Sequence, residues 1–242
     1  CLFNVASPMI SFKNVQVGYA QVLLEIADLE LESGRVYALI GRNGSGKSTL
    51  LKTMIGQLPL LNGQIMLGAH SISTLIKNHE LRAKHIAYVA SMFEGIDALT
   101  LQEYVALGRL PYLGALGRLQ PQDHKKVTEI LERLKLTAFA QKPTLQLSDG
   151  ERQLGSLARA MVQDTPFMIL DEPASFLDYF NRELLLEQLE EWVNNRESRT
   201  AIFSSHDIDL CLEKKIPLLV LNNKGLVLLE NATKESVMQL LR

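Results

Sequence analysis

The chain has only two cysteines, Cys1 and Cys211. That excludes the disulfide framework of small secreted domains and fits a reducing compartment. Long hydrophobic runs are missing too. The longest apolar stretches, such as Pro217–Leu221, are strand-sized, well short of the roughly 18–20 residues a spanning helix needs. No apolar signal segment stands ahead of Cys1, which weighs against reading that residue as a lipidated mature N-terminus. Any membrane role is therefore expected to be peripheral and carried by a partner. An excess of one charge is also absent: 25 Lys and Arg stand against 27 Asp and Glu, a net charge of −2. No basic field argues for nucleic acid as a partner. The sequon Asn231-Ala232-Thr233 is expected to be idle in a cytosolic protein.

What is present is ordinary globular material. The 242 residues, 47% hydrophobic and 21% charged, can bury a sizeable core in one large domain or two small ones. Short apolar runs alternate with helix-period segments, which predicts an α/β domain with a largely parallel sheet. Strands are expected at Val36–Ile40, Ile86–Val89, Phe167–Leu170, Thr200–Ser204 and Leu218–Leu221. The first two residues of Met9–Tyr19 and the stretch Leu23–Leu31 are expected to form half-buried antiparallel strands at the start. Helices are expected directly after Lys47, over Lys125–Leu134, Glu151–Gln163, Phe180–Asn194 and Asp207–Lys214, and at Lys234–Leu241. The region Ser91–Leu147, rich in helix formers, Gly, Pro and Leu and without a convincing strand, reads as a helical insertion.

Three clusters carry chemistry. Gly41-Arg42-Asn43-Gly44-Ser45-Gly46-Lys47-Ser48-Thr49 fits the phosphate-binding pattern G-x-x-x-x-G-K-[ST] and lies between an expected strand and an expected helix, the context that pattern requires. Glycines let successive amides turn inward as an anion nest, and the helix N-terminus adds positive potential. Lys47 would reach the β- and γ-phosphates, and the Ser48 hydroxyl would bind Mg²⁺. Phe167–Leu170 leads into Asp171-Glu172-Pro173. Asp171 suits the second half of the Mg²⁺ cage, and Glu172 suits a base that orients water; a plain strand-end cap is the competing reading. Ser148-Asp149-Gly150-Glu151 opens a helix, with Ser148 as N-cap and Glu151 closing a capping box. The same N-terminus can hold the γ-phosphate of an ATP bound to a second subunit.

On these residues the chain resembles an ATP-binding cassette ATPase over essentially its whole length. Leu147–Glu151 is similar to the family's LSGGQ signature, and Ser175-Phe176-Leu177-Asp178 to the loop that follows Asp-Glu-Pro. Ser204-Ser205-His206-Asp207 resembles the switch-histidine segment, and Tyr19 sits where the family stacks an aromatic on adenine. The resemblance implies a P-loop NTPase fold: a RecA-like parallel-sheet core (residues 9–90 and 160–242), an antiparallel N-terminal β subdomain and an inserted helical subdomain at about 91–159. It implies ATP and Mg²⁺ as cofactors, with catalytic roles for Lys47, Glu172 and His206. Nucleotide contacts would come from Tyr19, Gly41, Arg42, Asn43, Gly44, Ser45, Gly46, Lys47, Ser48, Thr49, Ser148 and Gly150, and metal contacts from Ser48 and Asp171. It further implies a head-to-tail dimer, polytopic permease partners, a substrate-binding protein engaged indirectly, and a peripheral place on the cytoplasmic face of the plasma membrane. The segment Thr100–Gly114, followed by Gly117-Arg118-Leu119, is similar to ATPases of iron–siderophore, haem and cobalamin importers. Within Leu101–Leu119, Arg109, Tyr112 and Arg118 are expected to dock on the membrane partner, with internal packing the competing reading for Tyr112.

Two departures stand out. Asp149 replaces the family's usual Gly and puts a carboxylate near a polyphosphate. Tyr88-Val89-Ala90-Ser91 stands where the lid loop usually reads aromatic-Val-Pro-Gln, and the spacing to Thr100 puts Ser91, rather than Glu94, in the Gln place. Three other readings stay open. A soluble cassette ATPase would share these motifs, although such proteins often carry two cassettes or a long coiled coil. A P-loop kinase leaves Leu147–Glu151 and His206 unexplained. A regulatory module that binds ATP without turnover is opposed by Lys47, Asp171, Glu172 and His206 but kept open by Ser91.

Overall fold

Residues 10–114, 117–222 and 225–241 are described by a computed structural model. Cys1 and Met9 therefore lie outside the described residues, as do two positions within the Leu101–Leu119 segment. The chain opens with β1 (Ile10–Gly18), β2 (Val22–Ile26), β3 (Leu29–Leu31) and β4 (Arg35–Gly41), then α1 (Lys47–Met54), β5 (Asn62–Leu67) and β6 (His70–Ser71). It continues through α2 (Ile72–Lys77), α3 (His79–His85), β7 (Ile86–Val89), α4 (Leu101–Ala106), α5 (Pro121–Arg133), α6 (Asp149–Val162) and β8 (Phe167–Leu170). It ends with α7 (Tyr179–Asn194), β9 (Thr200–Ser205), α8 (Ile208–Glu213), β10 (Leu218–Asn222), β11 (Gly225–Leu229) and α9 (Lys234–Leu240).

Two sheets result. The larger has the order β11-β10-β4-β9-β8-β7, parallel from β10 to β7, with β11 antiparallel at its edge. The smaller, β2-β1-β5-β6 with β3 also on β1, is antiparallel. Alternation along each core strand sends side chains into two separate apolar layers. Tyr37, Leu39, Ile169 and Ile202 face α1 and the small sheet, in a layer with Leu50, Leu51, Ile10 and Phe12. Ala38, Ile40, Leu170 and Phe203 face the other way, against Leu157 and Met161 of α6 and Leu185 and Leu189 of α7.

The five expected core strands are present. Expected only at the first two residues of Met9–Tyr19, β1 runs on to Gly18 through a bulge. Ile10 and Phe12 point inward, Asn14 turns through a left-handed φ of 45°, and the buried parity then switches to Val15 and Val17. A bulge of that kind breaks the period-2 signal that sequence reading relies on. Gly63 faces it on β5, where a Cβ would lie 2.2 Å from the Asn14 carbonyl oxygen. Helix α5 starts at Pro121 instead of Lys125, since the Asp123 carboxylate accepts the Gln120 amide at 2.9 Å and proline suits the first helical position. The region between β7 and α6 holds no strand among the described residues, only α4, α5 and short 3₁₀ turns. The expected subdomain boundary at 159/160 falls inside the unbroken helix α6.

The expected role of Arg109 at a docking surface is overturned. Arg109 lies in a 3₁₀ turn, 8% exposed. Its Nε donates to Asp123 Oδ1 at 2.8 Å, its Nη1 donates to the Val162 carbonyl at 2.8 Å, and the guanidinium stacks 4.2 Å from the Tyr112 ring centroid. Tyr112 in turn donates its hydroxyl to the Asp164 carbonyl at 3.3 Å. Both side chains pack the helical region onto the C-terminal end of α6.

Candidate active site

The loop after β4 reaches α1 through two left-handed glycines, Gly44 at φ 75° and Gly46 at φ 99°. Gly46 caps the helix, and a Cβ there would press to 2.9 Å on Leu24 of β2, so position 46 admits only glycine. Lys47 turns back over the loop, 6% exposed, and its Nζ donates to the carbonyls of Gly41 at 2.9 Å and Arg42 at 3.4 Å. Burial lowers its pKa from the ordinary lysine value, while the carboxylates of Glu172 and Asp171 pull the other way. Asn43 to Thr49, with Leu23 and Glu172, line a cleft of 270 Å³. The Ser45 hydroxyl is buried in this loop without a hydrogen-bond partner, a polar atom that an anion in the nest would satisfy. Tyr19 is 63% exposed on the turn between β1 and β2, next to the strand that supplies Leu23.

The acids arrive from β8. Asp171 is buried at the strand end, its amide bonded to the Val89 carbonyl at 2.9 Å. Glu172 follows in a left-handed conformation, φ 46°, so its side chain leaves in a different direction from that of Asp171. Ser204 on β9 lies between them: its Oγ donates to Asp171 Oδ1 at 2.7 Å and accepts the Glu172 amide at 2.8 Å. His206 Nε2 stands 2.6 Å from Glu172 Oε1, within hydrogen-bond distance, while Ser175 Oγ donates to Oε2 at 3.3 Å. The structure thus collects Lys47, Ser48, Asp171, Glu172 and His206 along the C-terminal edge of neighbouring parallel strands, where open α/β sheets bind ligands.

The donor set suits a hard divalent cation. Ser48 and Asp171 offer oxygen ligands, as Mg²⁺ prefers. Among the described residues no group of three His, Cys, Asp or Glu could hold a metal by itself, so phosphate oxygens and waters would complete such a site.

Ser148 and Gly150 are not brought to this cleft. They line a different cavity of 500 Å³ with Leu136, Phe176 and Asp178, so any nucleotide they touch would have to reach them from outside this chain's own P-loop. Ser148 does cap α6: Oγ accepts the Glu151 amide at 3.3 Å and the Glu151 carboxylate accepts the Ser148 amide at 2.7 Å. The Asp149 carboxylate is paired with Arg152, whose Nη1 also donates to the Leu147 carbonyl at 2.5 Å. The signature's extra negative charge is therefore partly neutralised from within its own helix.

Comparison with known proteins bears on this arrangement. The ABC transporter domain model matches residues 24–175. The chain is 32% identical over 216 residues to the achromobactin transport ATP-binding protein of Dickeya dadantii, covering 89% of this chain and 79% of that protein. The chain belongs to the ABC transporter family. As a cassette of that family it binds ATP and is an ATPase. The iron(3+)-hydroxamate import ATP-binding protein of Bacillus subtilis is 30% identical over 227 residues, covering 93% of this cassette and 83% of its own length. Among solved structures, one described as a metal-chelate type ABC transporter in an inward-facing conformation matches with a TM-score of 0.78 at 26% identity, covering 97% of this chain and 89% of the other. A dimeric bacterial ABC transporter cassette matches with a TM-score of 0.79 at 25% identity, covering 93% and 100%.

Sequence reasoning leaves some contributors without a role. Ser204 is the chief one, and its signal is a polar residue on the β9 face that Ile202 shows to be apolar. Ser175, Gln153 and Arg159 are others. Gln153 Nε2 donates to the Ala90 carbonyl at 3.2 Å and Arg159 Nη2 to the Tyr88 carbonyl at 2.8 Å, which ties the lid loop to the signature helix.

Proposed function

We propose that this cassette couples ATP hydrolysis to uptake of an iron–siderophore, haem or cobalamin-type substrate through membrane permease subunits. The observation that carries the hydrolytic part is the Asp171–Ser204–Glu172–His206 chain of hydrogen bonds beside the buried Lys47. The cargo class rests on the Thr100–Gly114 segment together with the achromobactin and iron-hydroxamate names of the relatives above.

In this reading the loop Gly41–Thr49 cradles the phosphates, Lys47 neutralises the β- and γ-phosphates, and Tyr19 packs on adenine. Ser48 and Asp171 hold Mg²⁺, which when bound neutralises phosphate charge. Glu172 accepts a proton from the attacking water, and the His206 imidazole, held 2.6 Å from it, is placed to turn toward the γ-phosphate. Ser148 and Gly150 serve the nucleotide of a second copy in a head-to-tail dimer. The helical subdomain, about 91–159, moves against the core formed by 9–90 and 160–242, with the join lying inside α6. Among the described residues no helix is long and apolar enough to cross a membrane; the cassette is placed at the cytoplasmic face through its permease partners, with a substrate-binding protein engaged through them. No nucleic-acid partner is proposed.

Glu172→Gln tests the mechanism. It should retain ATP binding, lose hydrolysis by about 10²–10⁴-fold, the range of one positioned base, and elute at twice the mass in Mg-ATP. A monomeric variant with parental turnover would overturn the assignment. For the cargo, cells lacking the gene should lose uptake of labelled ferric siderophore, haem or cobalamin, and the cassette should co-purify with a polytopic membrane protein. Normal uptake of all three would reject this class.

A further inference from the structure

Ser204 occupies an unusual place for a small polar residue. It is 1% exposed, one residue short of the end of β9, and opposite Leu39 of β4 in the parallel register. Alternation puts its side chain on the same face as Ile202, the face that packs toward α1 and the phosphate loop. Asp171, two residues after Ile169, shares that face on the neighbouring strand. The Ser204 hydroxyl spends its one proton on Asp171 Oδ1 at 2.7 Å and takes the Glu172 amide at 2.8 Å.

These two bonds do different things. The first ties down Oδ1 and so fixes the rotation of the Asp171 carboxyl. The second anchors the backbone amide of Glu172, a non-glycine residue held left-handed at φ 46°, a conformation disfavoured for glutamate. A single hydroxyl thereby sets the position of the metal-facing acid and of the water-facing acid relative to each other. An apolar side chain of the same size would leave a half-buried amide without this acceptor and Asp171 without this donor.

We propose that Ser204 is a positioning residue for hydrolysis: it aligns Asp171 for the divalent cation and holds Glu172 in its strained backbone, without touching nucleotide. The proposal rests on the roles given to Asp171 and Glu172 above. Groups that orient a metal's ligands act on affinity or turnover by about 10–100-fold, and that is the effect expected here.

The test uses the full chain with a fluorescent ATP analogue and single-turnover hydrolysis, on Ser204→Ala, Ser204→Thr and, as reference, Asp171→Asn. Ser204→Ala should bind nucleotide in EDTA within about twofold of the parent, lose most of the tightening that Mg²⁺ brings, and hydrolyse about 10–100-fold more slowly. Ser204→Thr keeps the hydroxyl and should recover both. Parental metal dependence and turnover in Ser204→Ala would overturn the proposal. So would a Thr variant as defective as Ala, because the effect would then come from packing. If Asp171→Asn leaves the metal dependence intact, it is the metal role of Asp171 that fails, and the turnover loss with its Thr rescue then decides Ser204 alone.

Discussion

Lys47 shows how a single side chain is held ready. Its ammonium is tied to the Gly41 and Arg42 carbonyls and is buried, so a nucleotide that binds exchanges carbonyl partners for phosphate oxygens instead of drawing a charge out of water. Lys47→Ala should weaken ATP binding by roughly 10- to 150-fold, the equivalent of about 1.5–3 kcal/mol for a hydrogen bond to a charged group, with turnover falling alongside. Equilibrium binding of labelled ATP checks this; unchanged affinity would remove the loop assignment. Ser91 is the opposite case, a side chain defined by what it cannot reach. It is exposed, two residues beyond Val89, whose carbonyl takes the Asp171 amide at 2.9 Å, so its backbone stands beside the site. Serine falls short of glutamine by roughly 2–3 Å in reach. Ser91→Gln is expected to raise partner-stimulated ATPase while ATP affinity stays within about a few-fold, because the longer side chain can touch the site directly where serine would need a bridging water. ATPase assays with and without the membrane subunits check it. If neither quantity moves, either Ser91 does not occupy the glutamine place or another residue, Glu94 first, does the glutamine's work.

At the scale of elements, α6 does more than any other helix. Ser148 caps its start, Gln153 and Arg159 hold the lid loop from its middle, and Arg109 reaches the Val162 carbonyl at its end. The Arg109–Asp123 pair is well shielded, with side-chain exposures of 10% and 5%. Breaking one partner of such a pair leaves an uncompensated buried charge, which costs about 3–5 kcal/mol. Arg109→Ala should therefore lower unfolding stability by that amount in urea titrations, and transport and basal ATPase should fall together. A loss of transport alone, with stability intact, would restore the docking role that the burial of this residue rules out. The sequence displays an arginine among Leu, Pro and Tyr, which is equally the composition of an interface hot spot; only the position of Asp123 on the neighbouring helix separates the two.

For the molecule as a whole, acid stability follows from two carboxyls. Burial alone would raise Asp164, but Lys126 at 2.6 Å, Arg196 at 3.5 Å and Arg199 hold it below its ordinary value. Burial likewise opposes Asp123, which the Gln120 amide and Arg109 hold low. A carboxyl depressed by folding contributes stability that is fully present above its unfolded pKa, about 3.9, and is lost as pH falls through the folded value. Thermal midpoints should therefore be flat near neutrality and drop below about pH 4. Asp164→Asn, which tolerates the left-handed φ of 60° at that position, should be less stable than the parent at pH 7, with the gap closing toward pH 3. A gap that stays constant would mean the Asp164 cluster contributes nothing through its charge.

Sequence alone determined the elements whose signal is local. Core strands such as Ile86–Val89 and Phe167–Leu170 read directly as apolar runs, the capping box at Ser148 and Glu151 is a four-residue pattern, and the glycine spacing of the phosphate loop follows from backbone sterics. Tertiary structure decided what depends on residues far apart in the chain. Asn14 needed Gly63 across the sheet to bulge, Arg109 needed Asp123 to become buried, and Ser204 gained its place only when β9 was laid beside β8. A hydroxyl near a strand end is ambiguous until pairing register fixes the face it points to and the carboxylate it meets, and register is set by long-range contacts that no short window of sequence contains.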